Sequence, residues 1–237
     1  MKLSAIALIL FFITVNALGQ AKTPLLAVDR QATKRAEKML KVLGGRARWA
    51  RLESLYIRAI HTEKTIPKPY KSEIWRNFAS AQFKIVHGNE DFHNERYVEG
   101  AKDWLMRRGE TRQLPENQLA DLLRWDTHLF YNTIRKIALA PAGLVLKIDD
   151  KNRLAVYESG KLLAAMELDA KNRPFKYYVP RADGIGESLT IYSEWGESEG
   201  YVHPTVSEPQ PSDEIYRTEE WKPNRQPSPV KFTPDNI

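Results

Sequence analysis

The sequence has 237 residues, 42% of them hydrophobic, with 36 Lys and Arg against 30 Asp and Glu for a formal charge of +6. That length suffices for one large domain with a proper core, and the absence of cysteine excludes a disulfide scaffold, a thiol nucleophile and an anchor through a cleavage-site Cys. The basic residues are scattered, whereas a nucleic-acid surface needs a concentrated stripe, so no nucleic-acid partner is expected.

Residues 1–19 carry Lys2 near the start, continue almost wholly apolar over 3–15 and end on Ala17-Leu18-Gly19, the pattern of a secretory signal cut after Gly19. The apolar run is short of the roughly 20 residues that span a bilayer. Residues 20–237 then read as one monomeric domain, soluble after signal removal and at most in transient contact with a membrane. Export without disulfides fits the bacterial periplasm, with secretion as the other destination.

Over 32–43 the apolar residues Ala32, Ala36, Met39, Leu40 and Leu43 share one helical face. Asp29 and Thr33 are both candidate caps. Gly44-Gly45 reads as a helix stop and leads into a short helix at 46–52, whose Trp49 and Leu52 pack on the same core. No strand precedes the glycines, so they are not a phosphate loop.

Strands are expected at 55–63, at 70–79 after a loop with Pro67 and Pro69, and at 82–87. A hairpin follows, with 92–99 and 103–107 joined at 100–102. Residues 115–138 form a helical region with apolar Leu119, Leu122, Leu123, Leu129, Ile134 and Ile137, and Asp126-Thr127-His128 either kinks it or divides it. A meander of strands at 144–148, 154–158, 162–168, 175–179 and 189–195 comes next. Its turns Asp150-Lys151-Asn152-Arg153 and Ala170-Lys171-Asn172-Arg173 nearly repeat each other. From about His203 a Pro-rich extension holds half of the 14 prolines but keeps Ile215, Tyr216, Trp221, Val230 and Phe232. Within it, 213–221 reads as a last, edge strand and the remainder as an extended wrap.

Several strands are apolar on both faces: Leu162, Ala164, Met166 and Leu168 oppose Leu163 and Ala165, and Phe175, Tyr177 and Val179 oppose Tyr178. A solvated antiparallel sheet alternates cleanly, so here each face must be covered. The fold class is mainly β with helices (α+β): an incomplete antiparallel β-barrel covered by α-helices, around either a ligand cavity or a filled core. A concave apolar face would draw its lining from Ile57, Trp75, Ile85, Tyr97, Val156, Met166, Tyr177 and Ile191, and a one-residue register change would move each to the other face.

Catalytic signatures are missing. There is no HExxH and no GxSxG. Glu90, Asp91 and His93 have metal-ligand chemistry but sit in a turn, and Glu194 and Glu197 flank Trp195-Gly196 as a solvated strand end would. No catalytic residue, metal or cofactor is assigned.

Three stretches resemble the periplasmic lipoprotein-carrier fold (LolA/LolB-like) and its outer-membrane lipoprotein-sorting relatives. They are Ala36-x-x-Met39-Leu40-x-x-Leu43-Gly44-Gly45 with Leu52-Glu53-Ser54-Leu55, then Tyr97-Val98-Glu99-Gly100-Ala101-Lys102-Asp103-Trp104, and the close from Glu214-Ile215-Tyr216 to Phe232-Thr233-Pro234-Asp235. The resemblance implies a single half-barrel domain over 20–237, helices lidding its mouth, a cavity for acyl chains, no cofactor and no catalysis. No residue here matches the carriers' functional arginine or membrane-inserting loop. The first functional reading is an exported non-enzymatic binder or carrier of a hydrophobic or acylated ligand, a lipid or lipoprotein acyl chain. The alternative is a structural module of an envelope complex with a filled core and a protein partner; an enzyme ranks third.

Overall fold

The computed structural model describes residues 29–80, 82–100 and 102–224. The expected signal segment, and Val230 and Phe232, lie outside the described residues. The chain opens with helices α1 (Arg30–Val42) and α2 (Arg46–Ala50). Six strands follow: β1 (Ser54–Glu63), β2 (Ile66–Asn77), β3 (Gln82–Gly88), β4 (His93–Glu99), β5 (Lys102–Arg107) and β6 (Glu110–Gln113). Helices α3 (Glu116–Thr127) and α4 (Phe130–Leu139) lead to β7 (Leu144–Ile148), β8 (Leu154–Glu158), β9 (Lys161–Leu168) and β10 (Pro174–Pro180). Long strands β11 (Glu187–Ser198), β12 (Tyr201–Gln210) and β13 (Ile215–Pro223) complete the described chain.

All strands join one 13-stranded antiparallel sheet, ordered β6-β5-β4-β3-β2-β1-β13-β12-β11-β10-β9-β8-β7. The sheet is open, with β6 and β7 as its edges. The segment expected as an edge strand is β13, which lies between β1 and β12 from Leu55↔Pro223 to Thr62↔Ile215. The Pro-rich stretch from His203 likewise belongs to β12, and β2 begins at Ile66, so Pro67 and Pro69 are strand residues. Prolines alone suggest loops, but in the sheet their missing N–H groups matter only where a ladder bond would form. Registered pairing of β12 with β13 is confined to Val206↔Arg217 and Ser207↔Tyr216, outside the positions of Pro204 and Pro209.

Helix α1 is capped by Asp29, whose carboxylate accepts the Gln31 N–H at 2.7 Å and, through its second oxygen, the Ile148 N–H at 3.1 Å. One residue thus starts the helix and fixes it to β7. The expected stripe of Ala32, Ala36, Met39, Leu40 and Leu43 is fully buried. It packs with Trp49, Leu52, Leu55, Phe130, Ile134 and Ile137 in one core that extends to Leu146, Leu154 and Ala164 on the meander. Trp49 donates its indole N–H to Leu43 O at 2.8 Å and packs edge-on to Tyr201 and Trp221, with centroids at 5.3 and 6.2 Å.

Gly44 does more than stop α1. At φ +105° it places its Cα against the β11–β12 hairpin, where a Cβ would lie 2.0 Å from Gly200 O. Val202 N–H donates to Leu43 O at 3.0 Å across this contact, and Arg48 Nη1 donates to Gly44 O at 2.5 Å and Gly200 O at 2.9 Å. Absence of a side chain is therefore needed for a tertiary contact as well as for the turn.

The helical region 115–138 is divided in two. The break falls at His128 and Leu129, where His128 Nδ1 meets Leu163 O at 2.6 Å and Tyr177 donates its hydroxyl to His128 O at 2.6 Å. Two strands thus fix the angle between α3 and α4.

Candidate ligand-binding face

The helices lie on one face of the sheet. Cross-strand register then sorts the eight expected lining residues, because directly opposed residues share a face. Ile57 pairs with Ile74 and Trp221, and Ile74 with Ile85, so Ile57 and Ile85 lie on the helix-covered face. Val156, Met166 and Tyr177 lie there too, in the main core with Ile57. Trp75 and Tyr97 both pair with Lys84 and form, with Tyr56 and Trp104, a row on the opposite face. Ile191 pairs with Lys176 and Glu208 and points away from the helices as well.

Within the helix-covered face two regions differ. Under α1, α2 and α4 the interior is closed: Val156 and Met166 have no exposure, and the Tyr177 hydroxyl is engaged by Thr133 Oγ1 at 2.6 Å as well as by His128 O. Burial raises the Tyr177 and Tyr192 phenols far above their ordinary value, as a dry core requires.

Under α3 the packing is thinner. A satellite cluster, separate from the main core, joins Leu122 to Phe83 and Val98, with half-buried Ile85 and Leu123 around it. Leu105 continues the row, opposite Arg96 and thus in line with Ile85. Leu122 is the one buried residue of α3, and Trp125 on the same helix is 43% exposed. Charge adds to this contact: Arg76, 3% exposed, pairs with Asp126 and lies over the Phe83 and Trp125 rings at 5.0 and 5.7 Å. Arg124 adds a hydrogen bond to Pro180 O at 2.9 Å. The trough between α3 and the β3–β5 wall is thus mixed in character: Phe83, Ile85, Val98 and Leu105 share that face with Arg96 and with Asp103, which is 2% exposed and lies 4.0 Å from Arg96, and α3 buries only Leu122 against it.

Sequence periodicity reveals only part of this region. The spacing of Leu119, Leu122 and Leu123 is visible in the sequence, but Phe83, Val98 and Leu105 come together only through the registers of three strands. Arg76 looks like an ordinary strand charge.

At the β1–β2 hairpin end the same face is polar. Ser72 Oγ lies 2.6 Å from His61 Nε2, and His61 Nδ1 lies 3.0 Å from Glu214 Oε1, the hydrogen-bond order of a serine-hydrolase triad. The surroundings do not suit that chemistry. Ser72 is 2% exposed and pairs on both sides, with Ala59 and His87, so its strand offers no free N–H pair for an oxyanion. Glu214 also accepts from Tyr216 at 2.5 Å and from Tyr70. Burial works against its ionised form, but hydrogen bonds from His61, Tyr216 and Tyr70 hold the carboxyl down at about 2. The cluster is a buried hydrogen-bond hub joining β1, β2 and the start of β13.

The residues with metal-ligand chemistry are dispersed: Glu90 and Asp91 pair with Lys68, while His93 pairs with Glu95 at 2.9 Å. Among the described residues no helix is long and apolar enough to cross a membrane.

No protein-family model and no curated protein sequence matches the chain. Among solved structures, a LolA superfamily protein from Nitrosomonas europaea is similar over 87% of this chain and 99% of its own, at 12% identity and a TM-score of 0.51. A putative outer membrane lipoprotein-sorting protein domain from Vibrio parahaemolyticus aligns over 83% of this chain and 95% of its own, at 10% identity and a TM-score of 0.43. An open antiparallel sheet with helices against one face, similar over nearly the whole length of the Nitrosomonas protein, gives this chain a LolA-like fold.

Proposed function

We propose that the protein is an exported, non-enzymatic binder or carrier of a hydrophobic or acylated ligand in the bacterial envelope, and that the ligand's acyl chain occupies the β3–β5 trough beneath α3. The carrying observation is the contrast between the two regions of the helix-covered face. One is a closed core, whereas the other sets Phe83, Ile85, Val98 and Leu105, with the Arg96–Asp103 pair among them, under a helix that buries only Leu122 and is pinned by Arg76–Asp126 and by Arg124 on Pro180 O. Displacing α3 would exchange Leu122 and Leu123 for an acyl chain without disturbing the main core. Burying ~14 methylenes at ~0.8 kcal/mol each contributes at most about 11 kcal/mol. Association costs of roughly 4–15 kcal/mol offset much of it, leaving reversible binding that suits a carrier.

Mass spectrometry of an organic extract of the purified protein, with titration of a fluorescent fatty acid, tests this reading. Ile85→Glu places a charge on the half-buried trough wall and should abolish uptake while the protein stays folded. A folded wild-type protein that takes up no acyl probe and yields no lipid would sink the carrier reading. An envelope module with a protein partner would then take its place; the closed core under α1, α2 and α4 favours that second reading.

A further inference from the structure

The near-repeated turns of the meander form a structure of their own. Residues 149–153 and 169–173 share the pattern Asp-x-Lys-Asn-Arg. In the first, the Asp149 carboxylate accepts Lys151 N–H at 3.1 Å, Arg153 N–H at 2.8 Å and Arg153 Nε at 2.7 Å. In the second, Asp169 accepts Lys171 N–H at 2.8 Å, Arg173 N–H at 2.8 Å and Arg173 Nε at 2.9 Å. Asn152 and Asn172 occupy the same left-handed position, φ 61° and 63°. Both turns are therefore stiff. Arg35 straps α1 to the first, donating to Asn152 O at 2.8 Å and Oδ1 at 2.7 Å.

Between α1 and these turns lies a cleft of about 640 Å³. Lys34 and Lys38 enter it from the exposed face of α1, Lys151 from the first turn and Asn172 from the second, while Leu168 and Phe175 supply an apolar wall. Two carboxylates also line it, and each is already engaged. Glu167 accepts from Tyr178 and from Lys176 at 3.2 Å, and Asp169 is held by its own turn. Tyr178 and Lys176 keep Glu167 below its ordinary range despite its burial, and the Arg173 contacts do the same for Asp169. By contrast, Lys34 and Lys38 make no ion pair among the described residues, and Lys151 reaches Glu187 only at 3.8 Å.

We infer that this cleft is a binding site for a phosphate group carrying an apolar substituent. Three ammonium groups on two facing walls suit a tetrahedral, multiply charged anion; a planar carboxylate is better matched by a guanidinium fork. Phosphate alone would fill a minor part of the volume, and the remaining space borders Leu168 and Phe175. The site is distinct from the trough beneath α3, so it goes beyond the carrier reading and does not depend on it.

Calorimetric titration at low salt tests this with three probes: inorganic phosphate, glycerol 3-phosphate and dihexanoyl phosphatidic acid below its micelle concentration. The short-chain lipid should bind at least about tenfold more tightly than glycerol 3-phosphate, a gap of about 1.4 kcal/mol. The double variant Lys34→Glu, Lys38→Glu, at exposed helix positions, should weaken the lipid by at least about tenfold without changing the melting temperature or fatty-acid uptake. Lys151→Glu repeats the test from the opposite wall. Equal affinity of the lipid for wild type and both variants, or no binding by the wild type, would overturn the site. Equal binding of lipid and inorganic phosphate would overturn its apolar half.

Discussion

Replacing either glycine of the Gly44-Gly45 pair by alanine separates backbone strain from tertiary contact. Both residues have strongly positive φ, +105° and +99°. Alanine in such a conformation costs about 1–3 kcal/mol, and the gain from stiffening the unfolded chain is the same for both variants. Around Gly45 a Cβ meets nothing within 4 Å, so Gly45→Ala should cost only that strain. At Gly44 the Cβ would lie 2.0 Å from a backbone carbonyl oxygen that cannot rotate away. The β11–β12 hairpin must then retreat by an ångström or more. Retreat breaks the Val202–Leu43 hydrogen bond, worth about 1 kcal/mol, and the charge-assisted bond from Arg48 to Gly200 O, worth about 1.5–3 kcal/mol. Gly44→Ala should therefore be less stable than Gly45→Ala by about 2.5–4 kcal/mol. Equilibrium urea unfolding followed by tryptophan fluorescence measures the difference directly. Equal midpoints and slopes for the two variants would refute the close approach of Gly44 to Gly200.

Three further outcomes are expected. Trp221→Ala removes a ring that is 3% exposed, stacked on His203 at 4.6 Å and edge-on to Trp49, and should cost about 3–5 kcal/mol; a loss under about 1 kcal/mol in denaturant unfolding would contradict its burial. Met166→Glu, in the closed core, should unfold the protein outright, and a native circular dichroism spectrum with an unchanged melting temperature would show that the core is open there. The Glu214 carboxyl is lower in the folded state, about 2, than its ordinary 4.5, so its stabilising contribution is present above pH 4.5 and fades as pH falls toward 2. Stability of Glu214→Gln should accordingly converge on that of the wild type between pH 5 and 2, and a constant difference across that range would argue against the ionised hub.

Local features of this fold are legible in the sequence, while long-range ones are not. The stripe from Ala32 to Leu43, the break near His128 and the meander turns each depend on residues a few positions apart, and all appear where periodicity and turn chemistry place them. The short β6 has no apolar alternation: its Glu110, Thr111, Arg112 and Gln113 are strand only because β5 is beside them. β12 is disguised by proline, and although 213–221 reads as a strand, the central position of β13 depends on a pairing with β1 that no local pattern encodes. The candidate site behaves similarly. Ile57 and Ile85 fall on the helix-covered face, but Trp75, Tyr97 and Ile191 fall on the other, because choosing a face needs the register and the sequence offers only the alternation.

The central place of β13 has a consequence for the order of assembly. Residues 54–113 form one meander and 144–210 another, and each can grow from neighbours close in sequence. Joining them requires β1, near the start, to meet β13, whose last pair sets Leu55 against Pro223. Such a contact carries a large loop-closure cost, so it forms late and slows folding. A chain emerging from its N-terminus has no partner for the free edge of β1 until the end of the described chain arrives. Until then, two open sheets present unpaired edges at β1 and β12, exposed to mispairing with other chains. Truncation before Ile215 would leave the molecule permanently at that stage.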